Sequence, residues 1–472
     1  MADRLLSVGL DVGTTSTQMI LSELTIENQA SAFSVPEMRI AQRNILYKSP
    51  IHFTPLLQGD LVDGEGIRAI VTEEYQKAGI SRQDVDTGAI IITGETSRKE
   101  NAATVLQNIS DFAGDFVVAT AGPDLESLLA AKGAGAVDFS AETGKTVLHM
   151  DIGGGTSNLA LIQNGQITAT GCLNVGGRLV KFDQSGAISY ISPVLEGIFP
   201  GSIGQIPASA QLDALADTLV SALEMAAGLR ERTELMDRLW TKESEQTRSL
   251  RTSPQTGAAI SQLSRNLSGI ATSPWAPRND NSDLVISFSG GVADCILTAH
   301  PDFAFGDMGP ILGRAIRRSR LCQNQYRLGT ETIRATVIGA GSHATQLSGS
   351  TVFYQNVSFP MKNLPVVTSI AALAHLDGPG VLALSGAAAV HYAEITALAE
   401  EIAEEWPSQP VLIALEADMA KALGHALALR FPKETPILCI DRVRMSENSY
   451  LDIASPIATA LPVVVKTLIL NR

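Results

Sequence analysis

The sequence predicts an α/β protein built from two copies of one lobe and a further α/β module. Residues 5–21 have the pattern of a strand, a glycine turn that begins at Asp11, and a second strand. Residues 147–162 repeat this order around Asp151, which indicates an internal duplication. From about residue 350 apolar strand-like segments alternate with helical ones, as in α/β folds. We therefore expect lobes over residues 1–140 and 141–349 and a C-terminal module over residues 350–472.

Composition limits the class of protein. The chain has 472 residues, of which 45% are hydrophobic, so there is ample material for buried cores. A formal net charge of −14 argues against holding nucleic acid or an anionic membrane through a diffuse basic field. None of the four cysteines forms a CxxC pair, which argues against a disulfide framework or a zinc site. The opening apolar stretch is broken by Gly9 and Asp11, and no uncharged apolar run reaches the ~18 residues of a membrane span. We expect a soluble, cytoplasmic protein.

The segments between and after the two copies also have readable patterns. Strands are expected at residues 89–93, 115–120, 284–288 and 335–338, and helices at 124–132, with Gly133 as the stop, and at 213–232. Residues 241–282 are polar and predict a loop-rich connection. In the last module, strands are expected at 380–384, 410–415 and 461–470, and helices at 387–405 and 417–430.

The first acidic turn has the chemistry of a phosphate site. Gly13 lets the backbone approach a ligand closely because it has no Cβ. Thr14 and Thr15 bring hydroxyl and N–H groups that suit a phosphate oxygen. Asp11 has the charge needed to hold Mg²⁺, directly or through water. An ordinary β-turn with an acidic flank is the competing interpretation.

The second acidic turn carries a stronger signal. Gly153, Gly154 and Gly155 are consecutive and precede Thr156, and three glycines in a hairpin turn suggest that a ligand approaches the backbone. Asp151 is a carboxylate that could orient a water molecule or bind the metal. A loose loop is the competing interpretation, but the matched context of Asp11 argues against it.

Two later glycine motifs are less specific. Ser289 is followed by Gly290 and Gly291, and a Gly-Gly pair that opens a helix can receive an adenine ring or a ribose against its backbone. The alternative is a helix start with Ser289 as its N-cap. Gly339 and Gly341 follow the predicted strand at 335–338, and close helix packing is the preferred interpretation there.

Together these motifs resemble the actin/sugar kinase/heat-shock chaperone ATPase superfamily over about residues 5–345. The resemblance implies duplicated RNase H-like (actin-like ATPase) domains flanking a nucleotide cleft, with ATP and Mg²⁺ as cofactors. The two acidic turns are then phosphate 1 and phosphate 2, residues 289–292 the adenosine motif, and residues 124–133 and 339–341 the two connecting motifs.

The resemblance also implies which residues act. Asp11 and Asp151 are the expected metal-binding and catalytic carboxylates. The acid that orients the attacking water is either Asp124 or Glu126, and the sequence leaves this choice open. No equivalent of the chaperones' catalytic lysine can be placed. His149 precedes the second turn, and we interpret it as a core histidine.

A narrower resemblance covers the whole chain. The segments GLDVGTTSTQMILSELT, MDIGGGTSNLALIQNG and ALPVVVKTLIL are similar to the ethanolamine ammonia-lyase reactivating factor family. This implies a chaperone-like ATPase that releases damaged cobalamin from inactivated ethanolamine ammonia-lyase, so that adenosylcobalamin can rebind. The C-terminal module is the candidate for partner contact. A small-molecule kinase, for which no catalytic base stands out, and a filament-forming actin relative are the alternatives. Homodimerisation and association with a bacterial microcompartment stay open.

Overall fold

The computed structural model divides into two compact units, Met1–Thr120 with Ala340–Arg472 and Ala121–Gly339. The finer three-part division at residues 140 and 349 stays a prediction. Within the described residues, no helix is long and apolar enough to cross a membrane. The described residues are 3–13, 16–28, 38–57, 61–93, 117–120, 123–241, 284–323, 325–343, 345–347, 351–376, 378–384, 391–407, 410–443, 445, 449–453, 455–456 and 461–467.

The N-terminal part of the first unit is a mixed sheet covered by a helix. Its strands run in the order β3-β2-β1-β5-β6, with β4 paired to β2. The pairs β1/β2 and β2/β3 are antiparallel, and β1/β5 and β5/β6 are parallel. Ile67 and Val71 of α1 pack on Leu10 and Ile90 of the sheet. The elements are β1 Asp3–Val12, β2 Ser16–Asn28, β3 Met38–Lys48, β4 His52–Phe53, α1 Gly64–Ala78, β5 Thr87–Ile92 and β6 Val117–Thr120.

The second unit contains a sheet with helices on both faces. Its order is β13-β12-β7-β8-β9, and the hairpin β10/β11 lies outside it. The helices are α2 Pro123–Gly133, α3 Ala136–Thr143, α4 Ser209–Ala226, α5 Glu234–Leu239, α6 Asp294–Leu297, α7 Gly309–Arg318 and α8 Ala335–His343, of which α8 continues past the unit boundary. The strands are β7 Thr146–Ile152, β8 Ser157–Gln163, β9 Gln166–Leu173, β10 Val180–Phe182, β11 Ile188–Ile191, β12 Leu284–Ser289 and β13 Tyr326–Leu328.

The predicted duplication is confirmed by the two sheets. In the second sheet β7/β8 and β8/β9 are antiparallel, whereas β12 is parallel to β7 and to β13. The same order and directions occur in the first sheet, with β7, β8, β9, β12 and β13 in the places of β1, β2, β3, β5 and β6. The fold is therefore mixed α/β, with two sheets of the same topology. The turn between β8 and β9 is formed by Asn164 and Gly165, which both have the positive φ angles of a type I′ hairpin.

The C-terminal part of the first unit is a separate sheet of order β14-β21-β20-β16-β17-β18-β19-β15. Strands β16 to β19 are parallel and are connected by α9, α10 and α11, as an α/β module requires. The elements are β14 Thr345–Leu347, β15 Phe353–Gln355, β16 Met361–Val367, α9 Ile370–Leu373, β17 Val381–Leu384, α10 Tyr392–Glu405, β18 Val411–Leu415, α11 Ala420–Ala428, β19 Ile437–Ile440, β20 Ser449–Ile453 and β21 Pro462–Thr467. The predicted α/β module is thus confirmed.

Three expectations need correction. The strand predicted at 335–338 is the first turn of α8, because a short apolar run does not distinguish a strand from a buried helix. Gly133 is the last residue of α2, and the left-handed residue that follows it is Gly135, with φ 69°. The helix predicted at 213–232 begins at Ser209 and ends at Ala226, shortly before Gly228 turns left-handed. The predicted loop-rich connection lies almost wholly outside the described residues.

Candidate functional site

The first acidic turn joins β1 to β2. Asp11 is the penultimate residue of β1 and is almost buried, and its Oδ1 accepts a hydrogen bond of 2.9 Å from Thr93 Oγ1. The N–H of Gly13 donates to the carbonyl of Ser16 at 2.9 Å and closes the turn. Thr54 Oγ1 donates to the carbonyl of Gly13 at 2.8 Å and holds the turn from β4's side of the sheet.

Only one of the three predicted phosphate-binding residues of this turn belongs to the described residues. Gly13 lies in the described turn, whereas Thr14 and Thr15 fall outside the described residues. A Cβ on Gly13 would lie 3.0 Å from the Ser16 carbonyl oxygen, so a side chain would crowd the turn. The phosphate-1 role of these three residues stays a prediction.

The second acidic turn has the same geometry in the second unit. Asp151 is again the penultimate residue of its strand and pairs with Asn158, as Asp11 pairs with Gln18. The N–H of Gly153 donates to the Thr156 carbonyl at 2.9 Å, which is the bond that closes the first turn as well. The two motifs therefore match in register and in hydrogen bonding, beyond their similarity in sequence.

The glycines of the second turn leave donors free for an anion. Among the described residues, the N–H groups of Gly154 and Gly155 have no hydrogen-bond acceptor. A Cβ on Gly155 would meet no atom within 4 Å, so this side of the turn is open. Successive unpaired N–H groups in a turn are a common anion-binding arrangement. The residues present therefore fit a phosphate group.

The alternation of residues along β7 and β12 determines what surrounds Asp151. Successive side chains point to opposite faces of a sheet. Leu148 and Phe288 belong to the large apolar core on one face, whereas Val147 packs with Ala131 of α2 on the other face. Asp151 is an even number of residues from Val147 and therefore lies on the α2 face.

A chain of hydrogen bonds lies behind Asp151 on that face. The hydroxyl of Ser289 donates to Asp151 Oδ1 and lies 2.9 Å from Nε2 of His149. Nδ1 of His149 lies 3.1 Å from the hydroxyl of Ser287. Both ring nitrogens of this fully buried histidine therefore have partners, and the prediction of a core histidine is confirmed.

Burial changes the protonation of both ends of this chain. It raises the pKa of Asp151 to about 6, although hydrogen bonds from Ser289 and Thr336 act in the opposite direction. It lowers the pKa of His149 to about 3, and the positive charge of Arg327 acts in the same direction. His149 is therefore neutral at physiological pH, and Asp151 is a carboxyl that can exchange its proton close to that pH.

The Gly-Gly motif after β12 is packed against the second turn. Gly290 has a φ of 85°, and a Cβ there would lie 2.3 Å from the carbonyl oxygen of Ile152. The N–H of Val292 donates to the same carbonyl at 3.1 Å. The alternative of Ser289 as a helix N-cap is wrong, since the next helix, α6, begins at Asp294. The predicted adenosine-binding role of Ser289, Gly290 and Gly291 stays a prediction.

The two acids considered for orienting water lie in the first turn of α2. Asp124 is half-buried and accepts a hydrogen bond from the Thr170 hydroxyl. Glu126 is almost buried and accepts a bond of 2.6 Å from Nδ2 of Asn158, the residue paired with Asp151. Both acids belong to the same unit as Asp151, and the choice between them stays open.

The predicted metal carboxylates fit Mg²⁺ in its usual protein setting. Within the described ranges, no group of three or more His, Cys, Asp or Glu side chains could hold a metal ion. Mg²⁺ does not need such a group, because it keeps several waters and takes one or two protein carboxylates together with phosphate oxygens. Asp11 and Asp151 each offer one carboxylate beside a glycine turn.

One basic residue next to the second turn was missed by the sequence reasoning. The segment after β9 contains Gly176, Gly177 and Arg178. Its backbone bonds directly to the turn, since Gly177 N–H donates to Gly153 O and Arg178 N–H donates to Gly154 O. A Cβ on Gly176 would lie 2.3 Å from Gly154 O. The sequence signal that could have indicated this residue is the pair Gly176-Gly177 followed directly by an arginine.

The comparisons with known proteins agree on one family. A family model described as ethanolamine utilisation protein EutA matches residues 3–379 and 369–471. The ethanolamine ammonia-lyase reactivase EutA of Salmonella typhimurium is 37% identical over 495 residues, which cover 98% of this chain and 98% of the relative. The protein of the same name from Escherichia coli is 37% identical over 492 residues, with the same coverage.

Solved structures give more distant similarities. The ethanolamine utilization protein EutJ from Carboxydothermus hydrogenoformans is 17% identical, with 71% of this chain and 89% of that chain covered and a TM-score of 0.31. The Ppx/GppA phosphatase of Aquifex aeolicus is 11% identical, with 72% and 99% covered and a TM-score of 0.38. The family model and the two curated relatives, in contrast, extend over nearly the whole chain. The chain therefore belongs to the family of the ethanolamine utilisation protein EutA.

Proposed function

We propose that this chain is an ATP-dependent, chaperone-like reactivating factor that releases damaged cobalamin from inactivated ethanolamine ammonia-lyase, so that adenosylcobalamin can rebind. The observation that carries the nucleotide part is the pair of acidic glycine turns, which match in register and in their closing hydrogen bond. The names of the two curated relatives support the choice of the lyase as the partner.

In this proposal the two turns bind the nucleotide and its metal. Asp11 and Asp151 hold Mg²⁺, directly or through water, and the free N–H groups of Gly154 and Gly155 bind phosphate oxygens. Bound Mg²⁺ supplies charge neutralisation for phosphoryl transfer, in which positioning and electrostatics dominate. The hydrogen bond from Thr93 to Asp11 fixes the first carboxylate, and the bond from Ser289 fixes the second.

An acid on α2 orients the attacking water. Asp124 and Glu126 are both candidates, and they differ in burial and in partner. Asp124→Asn and Glu126→Gln each keep the shape of the side chain and remove its charge. Substitution of the acid that acts on water should lower ATP turnover by at least about 100-fold with little change in nucleotide affinity. Substitution of the other acid should lower turnover much less. Single-turnover hydrolysis with a parallel binding measurement distinguishes the two.

The nucleotide must change the affinity of this chain for the lyase, or no work is transmitted. Shifting a two-state partner from 1:99 to 99:1 needs about 5.5 kcal/mol of differential binding. The C-terminal module is our candidate for the contact surface, because it lies outside the acidic-turn pattern. Tyr392 and Leu429 are exposed there by 66% and 80%, which is high for large apolar residues. The substitutions Tyr392→Ser and Leu429→Ser should leave ATP hydrolysis intact and weaken reactivation of the lyase.

The decisive experiment is a reactivation assay with the full chain. Ethanolamine ammonia-lyase blocked with cyanocobalamin is incubated with this protein, MgATP and adenosylcobalamin, and deamination of ethanolamine is followed. Activity should return with the wild-type chain and stay absent with Asp151→Asn. If ATP is hydrolysed but no activity returns, the lyase is not the partner. If activity returns without any nucleotide, the ATP-dependent mechanism is wrong.

A further inference from the structure

A cation lies against the second acidic turn. The side chain of Arg178 covers Gly154, where the ideal Cβ position is 3.2 Å from Arg178 Cδ and 3.4 Å from its Cβ and Cγ. The backbone of Arg178 is fixed to the same residue, since its N–H donates to the Gly154 carbonyl at 2.6 Å. The turn and the arginine are thus joined through both main chain and side chain.

Asp307 forms an ion pair with the guanidinium of Arg178 through one of its nitrogens, Nε. Nε of Arg178 donates to Asp307 Oδ2 at 3.1 Å, and the other oxygen of this nearly buried carboxylate accepts the N–H of Gly309 at 2.8 Å. Gly309 is the first residue of α7, so the carboxylate is anchored to a helix. The side chain of Arg178 remains one-third exposed, and its two terminal NH₂ groups have no acceptor among the described residues.

This arrangement has the features of a phosphate-binding arginine. A guanidinium offers several donors in a rigid plane that matches phosphate oxygens, and an ionised pair of this kind is stronger than a neutral hydrogen bond. Fixing Nε to Asp307 reduces the rotamer freedom that would be lost on binding and leaves the outer donors available. The acids expected to act here, Asp151 among them, add negative charge to that of the phosphates, which a cation beside the turn would offset.

We propose that Arg178 binds a terminal phosphate of the nucleoside triphosphate held by the turn Gly153–Thr156 and thereby favours triphosphate over diphosphate. Asp307 is its positioning residue. This inference rests on the proposed function, because it needs a nucleotide at the second acidic turn. It adds a cation to a site for which the sequence analysis named acids, glycines and hydroxyl residues.

The test compares affinities for ligands with different numbers of phosphates. Isothermal titration of the full chain with ATP, ADP and adenosine in the presence of Mg²⁺ would be done for the wild type, Arg178→Gln and Arg178→Lys. A matched control is Arg230→Gln, since Nε of Arg230 is also bonded to a nearly buried carboxylate, that of Glu224, in the same unit. Thermal unfolding of each variant checks that it folds.

Arg178→Gln should weaken ATP binding by about 10- to 100-fold, ADP binding less, and adenosine binding hardly at all, as expected for loss of a charged hydrogen bond to phosphate. Arg178→Lys should recover part of the loss, and Arg230→Gln should behave like the wild type. Equal weakening toward all three ligands, or unchanged ATP affinity, would overturn the inference. If Arg178→Gln fails to fold, Asp307→Asn replaces it and should show the same phosphate-dependent order with a smaller loss. A wild-type chain that binds no ATP would overturn the proposed function itself.

Discussion

Replacing Gly339 by alanine tests the packing of α8 on α2 within the second unit. A Cβ on Gly339 would lie 2.1 Å from the Leu129 carbonyl oxygen and 2.6 Å from the carbonyl carbon. The contact is reciprocal, because a Cβ on Gly133 would lie 1.9 Å from the Ala335 carbonyl oxygen. Both obstacles are backbone atoms of a helix, so neither can rotate away as a side chain would.

The size of the effect follows from two opposing terms. Cβ contacts under 3.0 Å are essentially never observed, so α8 must move away from Leu129 by at least 3.0 − 2.1 = 0.9 Å. Overpacking of this kind typically destabilises a protein by about 1–3 kcal/mol. Alanine is favoured over glycine inside a helix by about 1 kcal/mol. We expect a net loss of stability of up to about 2 kcal/mol, and each kcal/mol lost lowers the unfolding temperature of a unit of this size by roughly 2–4 °C.

The same displacement should reach the candidate site, because Thr336 on α8 hydrogen-bonds to Asp151. Gly339→Ala should therefore also lower ATP turnover. The control is Gly378→Ala, where a Cβ would meet no atom within 4 Å. Differential scanning calorimetry of the wild type and both variants measures the change in unfolding temperature. A Gly339→Ala protein that unfolds at a higher temperature than the wild type would show that helix propensity wins and that the helices are not in backbone contact.

Three further predictions concern carboxylates. Asp441 is fully buried, and one of its oxygens has no hydrogen-bond partner among the described residues. Burial and the negative charge of Asp418 raise its pKa. Stability should fall as pH rises through that raised value, and Asp441→Asn should increase the free energy of unfolding at neutral pH by on the order of 1–3 kcal/mol. Glu74 is fully buried and accepts three hydrogen bonds, so Glu74→Gln should lower the unfolding temperature at pH 7. In kinetic assays, Asp11→Asn should weaken Mg²⁺-dependent ATP hydrolysis, and Asp151→Asn should lower kcat more than ATP affinity.

Each of these has an outcome that contradicts it. Equal unfolding temperatures for the wild type and Asp441→Asn between pH 4 and 8 would mean that the buried carboxyl carries no penalty. Burial alone raises the pKa of Glu74, but hydrogen bonds from Lys77, Tyr47 and His52 outweigh it, so the pKa is lowered. The stabilising effect of Glu74 is therefore present above the ordinary glutamate range and should shrink as pH falls; a constant difference would contradict this. Loss of ATP affinity with intact turnover in Asp151→Asn would contradict its catalytic role.

The acidic turns could be predicted from sequence because all their determinants are local. Strand, acid, glycines and second strand lie within about 15 residues of one another, and the hairpin period and turn chemistry are both readable at that range. The duplication followed from recognising the same order twice. The register shared by Asp11 and Asp151 follows from the duplication too, since equal loop lengths give equal pairing.

Features that depend on distant segments were not predictable in the same way. The segment at 335–338 is β-branched and apolar, so its helical state was not predicted. The close helix packing predicted at Gly339 is confirmed, because a Cβ there would lie 2.1 Å from the Leu129 carbonyl oxygen. Gly133 was interpreted as a stop signal, although its role is to admit the carbonyl of Ala335. Arg178 is far from the turn in sequence, and its position over Gly154 depends on how β9 continues after it leaves the sheet.

The two turns also show where duplicated copies have diverged. In each, a hydroxyl from the neighbouring parallel strand's carboxyl end bonds to the acid, Thr93 to Asp11 and Ser289 to Asp151. Two residues before the acid, however, the first copy has Gly9 and the second has His149. At Gly9 the backbone of Gly341 approaches so closely that a Cβ on Gly341 would lie 2.9 Å from the Gly9 nitrogen.

In the second copy the same strand position is filled by an imidazole that bonds to Ser289 and fixes the hydroxyl facing the acid. One copy thus uses the position for close packing of the chain, and the other uses it to orient the partner of a buried carboxyl. This difference supports unequal roles for the two acids. Asp151 is held by an ordered polar chain that includes a side chain at this strand position, where the first copy has only a glycine, so the two acids are not equivalent parts of the proposed Mg²⁺ site.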